Sequence, residues 1–387
     1  METIMNPSLT RQERLLAYFQ LLENGQGSLD AFRTIESELN TLTHLELFEL
    51  FNLKLKSQQP REILPYVDRV MHVVTPFLKP QAVDLPNDSI LALLVKENDA
   101  FKLKLQAIQT KLQRFPIVPS ELKDDFETLN AFTPHYLKIQ NVLFPHLERK
   151  DSRLTGTKIL WSLQDQTKAV LKTLIQDCQT KIQADDAFNQ HLGTYFFNAY
   201  GLIQKEEVIL FQVAMQVLSV EDLDLIYDQC LEFPWCFIEV PTRLPKATTK
   251  SSTALSSLTG QLTPDQLELM LNALPLDLTL IDEHDKVRYF NKPKDRTFPR
   301  SPAVIGRDVR NCHPAESVHV VNAILEAFRN GERDEAKFWL PIKHQFLLIR
   351  YLALRDEHGR YRGCLEITQD IAPIQAITGT RRLLDWD

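Results

Sequence analysis

From Leu9 to about Val240 apolar residues recur every three or four positions and glycine is scarce. In HLELFELFNLKLK, for example, Leu45, Leu47, Phe48, Phe51 and Leu55 fall mostly on one side of a helix. The pattern predicts an all-α N-terminal half. Pro76, Pro80 and Pro86 cluster between two helical patterns and predict a boundary near residue 82. Beyond Pro275 the rhythm changes. DLTLID, VRYF, FWLPI, FLLIRYLAL and YRGCLEIT are short and rich in Ile, Leu, Val, Tyr and Phe, which predicts strands. Asp356 to Gly359 form a hairpin turn between the last two, and a helix from about Ser317 to Arg329 presents Val318, Val321, Leu325 and Phe328 on one side. Two strands, a helical middle and a three-strand meander make an α+β module of about 110 residues.

Between the halves, KATTKSSTALSSLTG (246–260) has no aromatic residue and reads as a linker, since it offers too little apolar surface to order itself. Thr263 then caps a helix with Pro264 at its first position and Leu267, Met270, Leu271 and Leu274 as its apolar stripe. The expected organisation is a helical domain over 1–82, a helical bundle over 83–240, a linker over 241–262 and an α+β domain over 263–387. A chain of 387 residues exceeds what one core usually supports, so several domains are expected on length as well.

Composition adds exclusions. With 44% hydrophobic and 25% charged residues and no apolar run long enough to cross a bilayer, a soluble protein without membrane association is expected. METIMNPSLTRQERLL lacks the basic start and apolar run of a secretory leader. The five cysteines, Cys178, Cys230, Cys236, Cys312 and Cys364, form no CxxC pair and suit a reducing cytoplasm. A net charge of −7 without a dense basic run argues against nucleic acid as a partner.

The C-terminal third resembles PAS domains, and one bacterial subgroup closely. The resemblance rests on LPLDLTLIDEHDKVRYFN, RTFPRSPAVIGRDVRNCHP, SVHVVNAILEAFRNG, FLLIRYLALRDEHGRYRGCLEITQDI and RRLLDW. It implies a five-stranded antiparallel sheet facing helices across a space that could hold a small ligand, with signals leaving through the last strand, here ending at Thr368 to Ile371, and the flanking helices. Gly306 suits a tight turn in AVIGRDV. The candidates for that space are Cys312, His313, His319 and Trp339: a histidine could ligate haem iron and Cys312 could report redox state. The alternatives are that Asn311 and His313 orient a loop, that Cys312 is a small core residue, and that Trp339 packs in the core or serves a dimer surface with the helix at 264.

In that subgroup the PAS module follows a small helical domain of unknown function and a hemerythrin-like bundle. The middle of the chain resembles the latter through ENDAF at Glu97, HYLKIQNVLFPHLE at His135, ILWSLQDQ at Ile159 and QKEEVILF at Gln204. The resemblance implies a di-iron site of inward histidines and carboxylates. Only His135 and Glu207 stand at matching positions, while Ser89, Gln140 and Gln164 occupy others, which leaves His135 without an anionic partner and argues against di-iron. Glu206 is read as part of a solvated face. His135 and Gln140, five residues apart, would converge only on a distorted helix. His146 and His191 are read as surface or satisfied core histidines, while His44 and His72 lie among apolar helical residues without carboxylates at ligand spacing.

No P-loop, GxGxxG after a strand, GxSxG or HExxH is present. The expectation is a cytoplasmic, non-enzymatic sensor in which the PAS domain binds a small molecule, haem among the candidates, or responds to redox state and engages a protein partner or a second copy. A di-iron sensor of oxygen or nitric oxide (or an iron-handling protein) and a ligand-free scaffold are the alternatives.

Overall fold

The computed structural model describes residues 9–78, 88–113, 116–151, 153–154, 156–240, 255–257, 260–342 and 344–380. The boundary expected near residue 82, most of the linker over 241–262 and the RRLLDW motif lie outside them. The chain divides into two compact units, residues 1–245 and 246–387. The multidomain architecture is the expected one, a helical N-terminal half and an α+β C-terminal unit with a five-stranded antiparallel sheet.

The first unit opens with α1 (Arg11–Glu23), α2 (Leu29–Leu39), α3 (His44–Leu55) and α4 (Leu64–Val74). Capping boxes at Thr10/Glu13 and Thr43/Glu46 satisfy the free N–H groups that start α1 and α3. Ala31, Ile35 and Leu39, four residues apart on α2, are all buried. These helices pack in the same unit as those that follow, with Asp68 of α4 bonded to Lys205 at 2.6 Å and Glu49 of α3 to Arg153 at 2.7 Å.

The rest of the unit comprises α5 (Ile90–Leu112), α6 (Lys123–Asn130), α7 (Thr133–Lys138), α8 (Phe144–Lys150), α9 (Thr157–Thr180), α10 (Asp186–Lys205), α11 (Phe211–Val217) and α12 (Val220–Cys230). A π-helical turn at Ile139–Leu143 joins α7 to α8, and another at Glu206–Leu210 joins α10 to α11. Each pair is thus one long helix carrying a local wide turn, a feature that often marks a functional position. Both turns face the middle of the core.

The second unit begins with a hairpin of β1 (Leu255–Ser257) and β2 (Gly260–Leu262), so the expected linker ends in paired strands. The helix α13 (Pro264–Ala273) follows, capped by Thr263 and Gln266. The main sheet holds β3 (Asp277–Asp282), β4 (Val287–Phe290), β5 (Glu335–Ile342), β6 (Gln345–Arg355) and β7 (Tyr361–Asp370) in the order β4-β3-β7-β6-β5, all antiparallel. Against one face packs α14 (Val318–Arg329), whose Leu325 and Phe328 form a core with Ile281, Val309 and Cys364. Gly306 takes φ +83 and Gly359 takes φ +74, as their turns require.

Gly363 is held more tightly than either. It lies at φ +139 in β7, and a Cβ there would stand 2.2 Å from the carbonyl oxygen of Ile281 on β3. Gly363→Ala is therefore expected to destabilise the C-terminal unit by at least about 2 kcal/mol. Hydrogen exchange should show lost protection in peptides from β3 and β7 while α5 keeps its own.

Candidate functional site

Two clusters of buried polar groups stand out, one in each unit. In the helical unit, His135 on α7 is fully buried and both ring nitrogens meet carboxylates: Nδ1 lies 2.7 Å from Glu97 of α5, and Nε2 lies 3.2 Å from Glu206 of the second π-turn. Lys138, one turn along α7, donates from Nζ to the other Glu97 oxygen at 2.6 Å and to the carbonyl of Pro234 at 2.9 Å. The backbone N–H of Cys236 also donates to Glu97. Glu206 in turn accepts from Asn98 and from Gln164 of α9, and Gln164 accepts from Gln140 at 2.8 Å. The network thus joins all four long helical stretches. Phe132 stacks on Phe101 at 3.9 Å and on His135 at 4.5 Å, while the Lys138 ammonium sits 4.4 Å from the Trp235 ring centre.

Electrostatics follow from that geometry. Burial alone would push the His135 imidazole down, but the charge of Glu206 and hydrogen bonds to Glu206 and Glu97 outweigh it and raise the pKa. Burial likewise favours a neutral Glu97, yet the bond to His135 and the charges of His135 and Lys138 hold its carboxyl below the usual value. The surroundings thus favour the protonated imidazole of His135 and the ionised carboxyl of Glu97 inside the core.

In the C-terminal unit the sheet face turned toward α14 is apolar at one end and polar at the other. Strand alternation puts Cys364, Glu366 and Thr368 of β7 on this face, paired across with Ile281, Thr279 and Asp277 of β3. Arg300 reaches Glu366 at 3.1 Å and Tyr351 OH lies 3.5 Å from the same carboxylate. The Nε of Arg300 is buried without a hydrogen-bond partner. His313 stands by this pair. Burial lowers its pKa, with Glu366 opposing and Arg300 reinforcing the shift. In the turn between β3 and β4, Asp285 at φ +63 is bridged by Arg310 at 2.8 Å and Arg329 at 2.7 Å. Asn291 accepts from the Leu278 N–H and donates to the carbonyls of Leu271 and Leu276, which ties the end of α13 to β3.

A PAS-domain family model matches residues 267–372. Residues 267–372 are a PAS domain. Among solved structures, the chain is similar to the C-terminal domain of a protein from Streptococcus mutans, at 34% identity over 32% of this chain and 96% of that one, with a TM-score of 0.31. It is also similar to a PAS domain from Colwellia psychrerythraea (16% identity, 28% and 97% covered, TM-score 0.23). A sensory box sensor histidine kinase from Vibrio cholerae matches at 14% identity over 27% of this chain and 87% of that one, TM-score 0.22. No curated protein matches the chain.

Of the four residues expected in the PAS interior, the structure brings two there. His313 and Cys312 are both half-buried, His313 within electrostatic reach of Arg300 and Glu366 and Cys312 close enough to Arg300 to act on its charge. His319 is exposed on α14, because the helix turns Val321, Ile324, Leu325 and Phe328 inward instead. Trp339 is 59% exposed: it pairs with Leu348 on the outer face, and alternation sends Phe338 toward Tyr351. Asp308 caps the short turn Val309–Cys312 that leads toward α14. Arg300 and Glu366 were missed, although the period of two through Cys364, Glu366 and Thr368 was available as a signal.

In the helical unit the expected ligand pair is also corrected. Glu207 points away from His135 and pairs with Lys102 at 2.9 Å, while Glu206, expected on a solvated face, is fully buried against His135. At the start of its π-turn Glu206 continues the buried side of α10, three and four residues after Ile203 and Leu202, and Glu207 falls outside that side. His135 has two anionic partners rather than none. The other π-turn supplies the distortion that brings Gln140 into the same network. His146 is satisfied by Gln229 and His191 by Asp177. The donor set does not fit a di-iron centre. One imidazole and two carboxylates are already spent on a lysine, on one another and on neutral amides. Among the described residues, no three His, Cys, Asp or Glu side chains gather so as to hold a metal.

Glu97→Gln would leave Lys138 buried without its counter-ion and is expected to cost about 3–5 kcal/mol in urea unfolding of the helical unit. The pH dependence has two arms. The raised pKa of His135 stabilises fully below its unfolded value of about 6.5, and that contribution is lost as pH climbs through the folded value. The depressed pKa of Glu97 stabilises above about 4.3 and is lost as pH falls through the folded value. Urea midpoints should therefore peak at weakly acidic pH, and His135→Gln should abolish the alkaline decline.

Proposed function

We propose that the chain is a cytosolic, non-enzymatic regulator. In this reading its PAS domain responds to a small molecule or to redox state and passes the change to a hemerythrin-like bundle that works as a metal-free structural body. The observation that carries it is the polar end of the PAS interior. There a buried guanidinium with an open donor, a carboxylate, an imidazole and a thiol converge where an all-apolar core would be the more stable filling. Such groups suit a ligand that offers acceptors and donors of its own.

In this reading redox sensing falls to Cys312. It is the one cysteine of the five that is not fully buried. Burial raises the other thiols, Cys178 to about 11 and Cys236 and Cys364 to about 12, which keeps them unreactive. Output would pass through the flanking α13, none of whose residues is buried and whose Leu269 and Met270 are exposed; with Trp339 they suit a protein partner or a second copy. Among the described residues no helix is long and apolar enough to cross a membrane.

Two measurements test this reading. Native mass spectrometry with an absorption spectrum of the full chain from its own host should show one small molecule bound per chain, released in Glu366→Gln. Bare protein that gains no thermal stability from haem or flavin would remove the ligand arm. Iodoacetamide labelling near pH 7.5 should modify Cys312 at least about tenfold faster than any other cysteine. Equal rates would remove the redox arm.

A further inference from the structure

The helical unit carries a groove that plays no part in either cluster. Its volume is about 950 Å³, and it runs between α4, the turn after α1 and the outer side of α10. The size suits a small molecule. Its walls are largely carbon: Leu22, Met71, Val73, Phe196 and Phe197, with Phe197 62% exposed, which is a large apolar surface to leave to water. The chain after α1 lines one side, where Gly25 takes φ +69 and where a Cβ on Gly27 would meet Leu22 at 2.5 Å.

Charge is concentrated along one side. Lys205 is 4% exposed at its side chain and bonds Asp68 at 2.6 Å and the Gly201 carbonyl at 3.3 Å. A Cβ on Gly201 would come within 3.2 Å of Nζ, so glycine here makes the room the ammonium occupies. Next to Asp68 on the helix, exposed Arg69 donates to the carbonyl of Glu23, a neutral acceptor. Asp68 balances one cation. Two cations against one carboxylate leave the groove with a surplus positive charge beside an apolar trough.

We propose that this groove binds a long-chain carboxylate, with its hydrocarbon along Val73, Phe196 and Phe197 and its head group at Arg69. The apolar walls recognise the chain by burial, and the surplus cation selects an anion over a neutral head. A purely hydrocarbon ligand would leave Arg69 unused, and a polyanion would meet Asp68.

The test is calorimetric titration of the full chain with dodecanoate below its micelle concentration and, separately, with dodecanol. Dodecanoate should bind once per chain and about tenfold more tightly than dodecanol. Arg69→Gln should erase that difference, and Phe197→Glu, which sets a negative charge on the wall, should weaken dodecanoate further. Both side chains are exposed, and unchanged thermal melts of the variants would show that neither loss comes from unfolding. The proposal is overturned if the two ligands bind alike, if several dodecanoates bind per chain, or if binding ignores both variants and so belongs elsewhere in the protein.

Discussion

The helical unit is organised around an ion pair that water never reaches. Lys138 and Glu97 meet at 2.6 Å with neither side chain exposed, and a pair so placed is tolerable only when every remaining lone pair and proton finds a partner. Much of the surrounding structure meets that demand. The free Glu97 oxygen takes His135, Lys138 takes a backbone carbonyl and an aromatic face, and the Cys236 N–H closes the carboxylate from above. That last requirement fixes the segment after α12, where Phe237 adopts φ +62 and lies parallel to Phe132. A backbone conformation unusual for a residue with a side chain is held there by what it covers.

The PAS domain solves a related problem differently. Its core beneath α14 is conventional, with Phe328, Leu325 and Ile281 excluding water. A few residues along the same strands, carboxylates and guanidinium groups take over. Asp285 is neutralised by two arginines and Asn291 spends its side chain on three backbone groups, so these serve the fold. Arg300 differs from them in keeping a buried donor open.

Much of the fold could be read from the sequence because two periods, near 3.6 and 2, separate its halves cleanly. DLTLID and VRYF begin and end where β3 and β4 do, and Thr263 and Pro264 start α13 as their chemistry dictates. The sites were less legible. Period two alone puts Glu366 inside, whereas Arg300 lies in irregular chain whose direction no repeat encodes. His135 was visible, but its partner was chosen by likeness to a family, which pointed to Glu207, although the buried stripe of Ala199, Leu202 and Ile203 continues to Glu206. His319 failed for the opposite reason: it sits on a regular helix whose stronger apolar stripe claims the inward side.

That widened turn has a mechanical side. Lys205, Glu206 and Glu207 are consecutive, yet they grip three separate places: Asp68 of α4, His135 in the core and Lys102 on α5. Three neighbouring residues of a regular helix also diverge, but here Glu206 and Glu207 open the π-turn itself, a wide turn with one residue to spare. Moving it by one position would rotate the stretch by roughly 100°. The three grips would then be released together rather than singly. One turn of backbone thus ties together the outer layer, the core and the neighbouring helix.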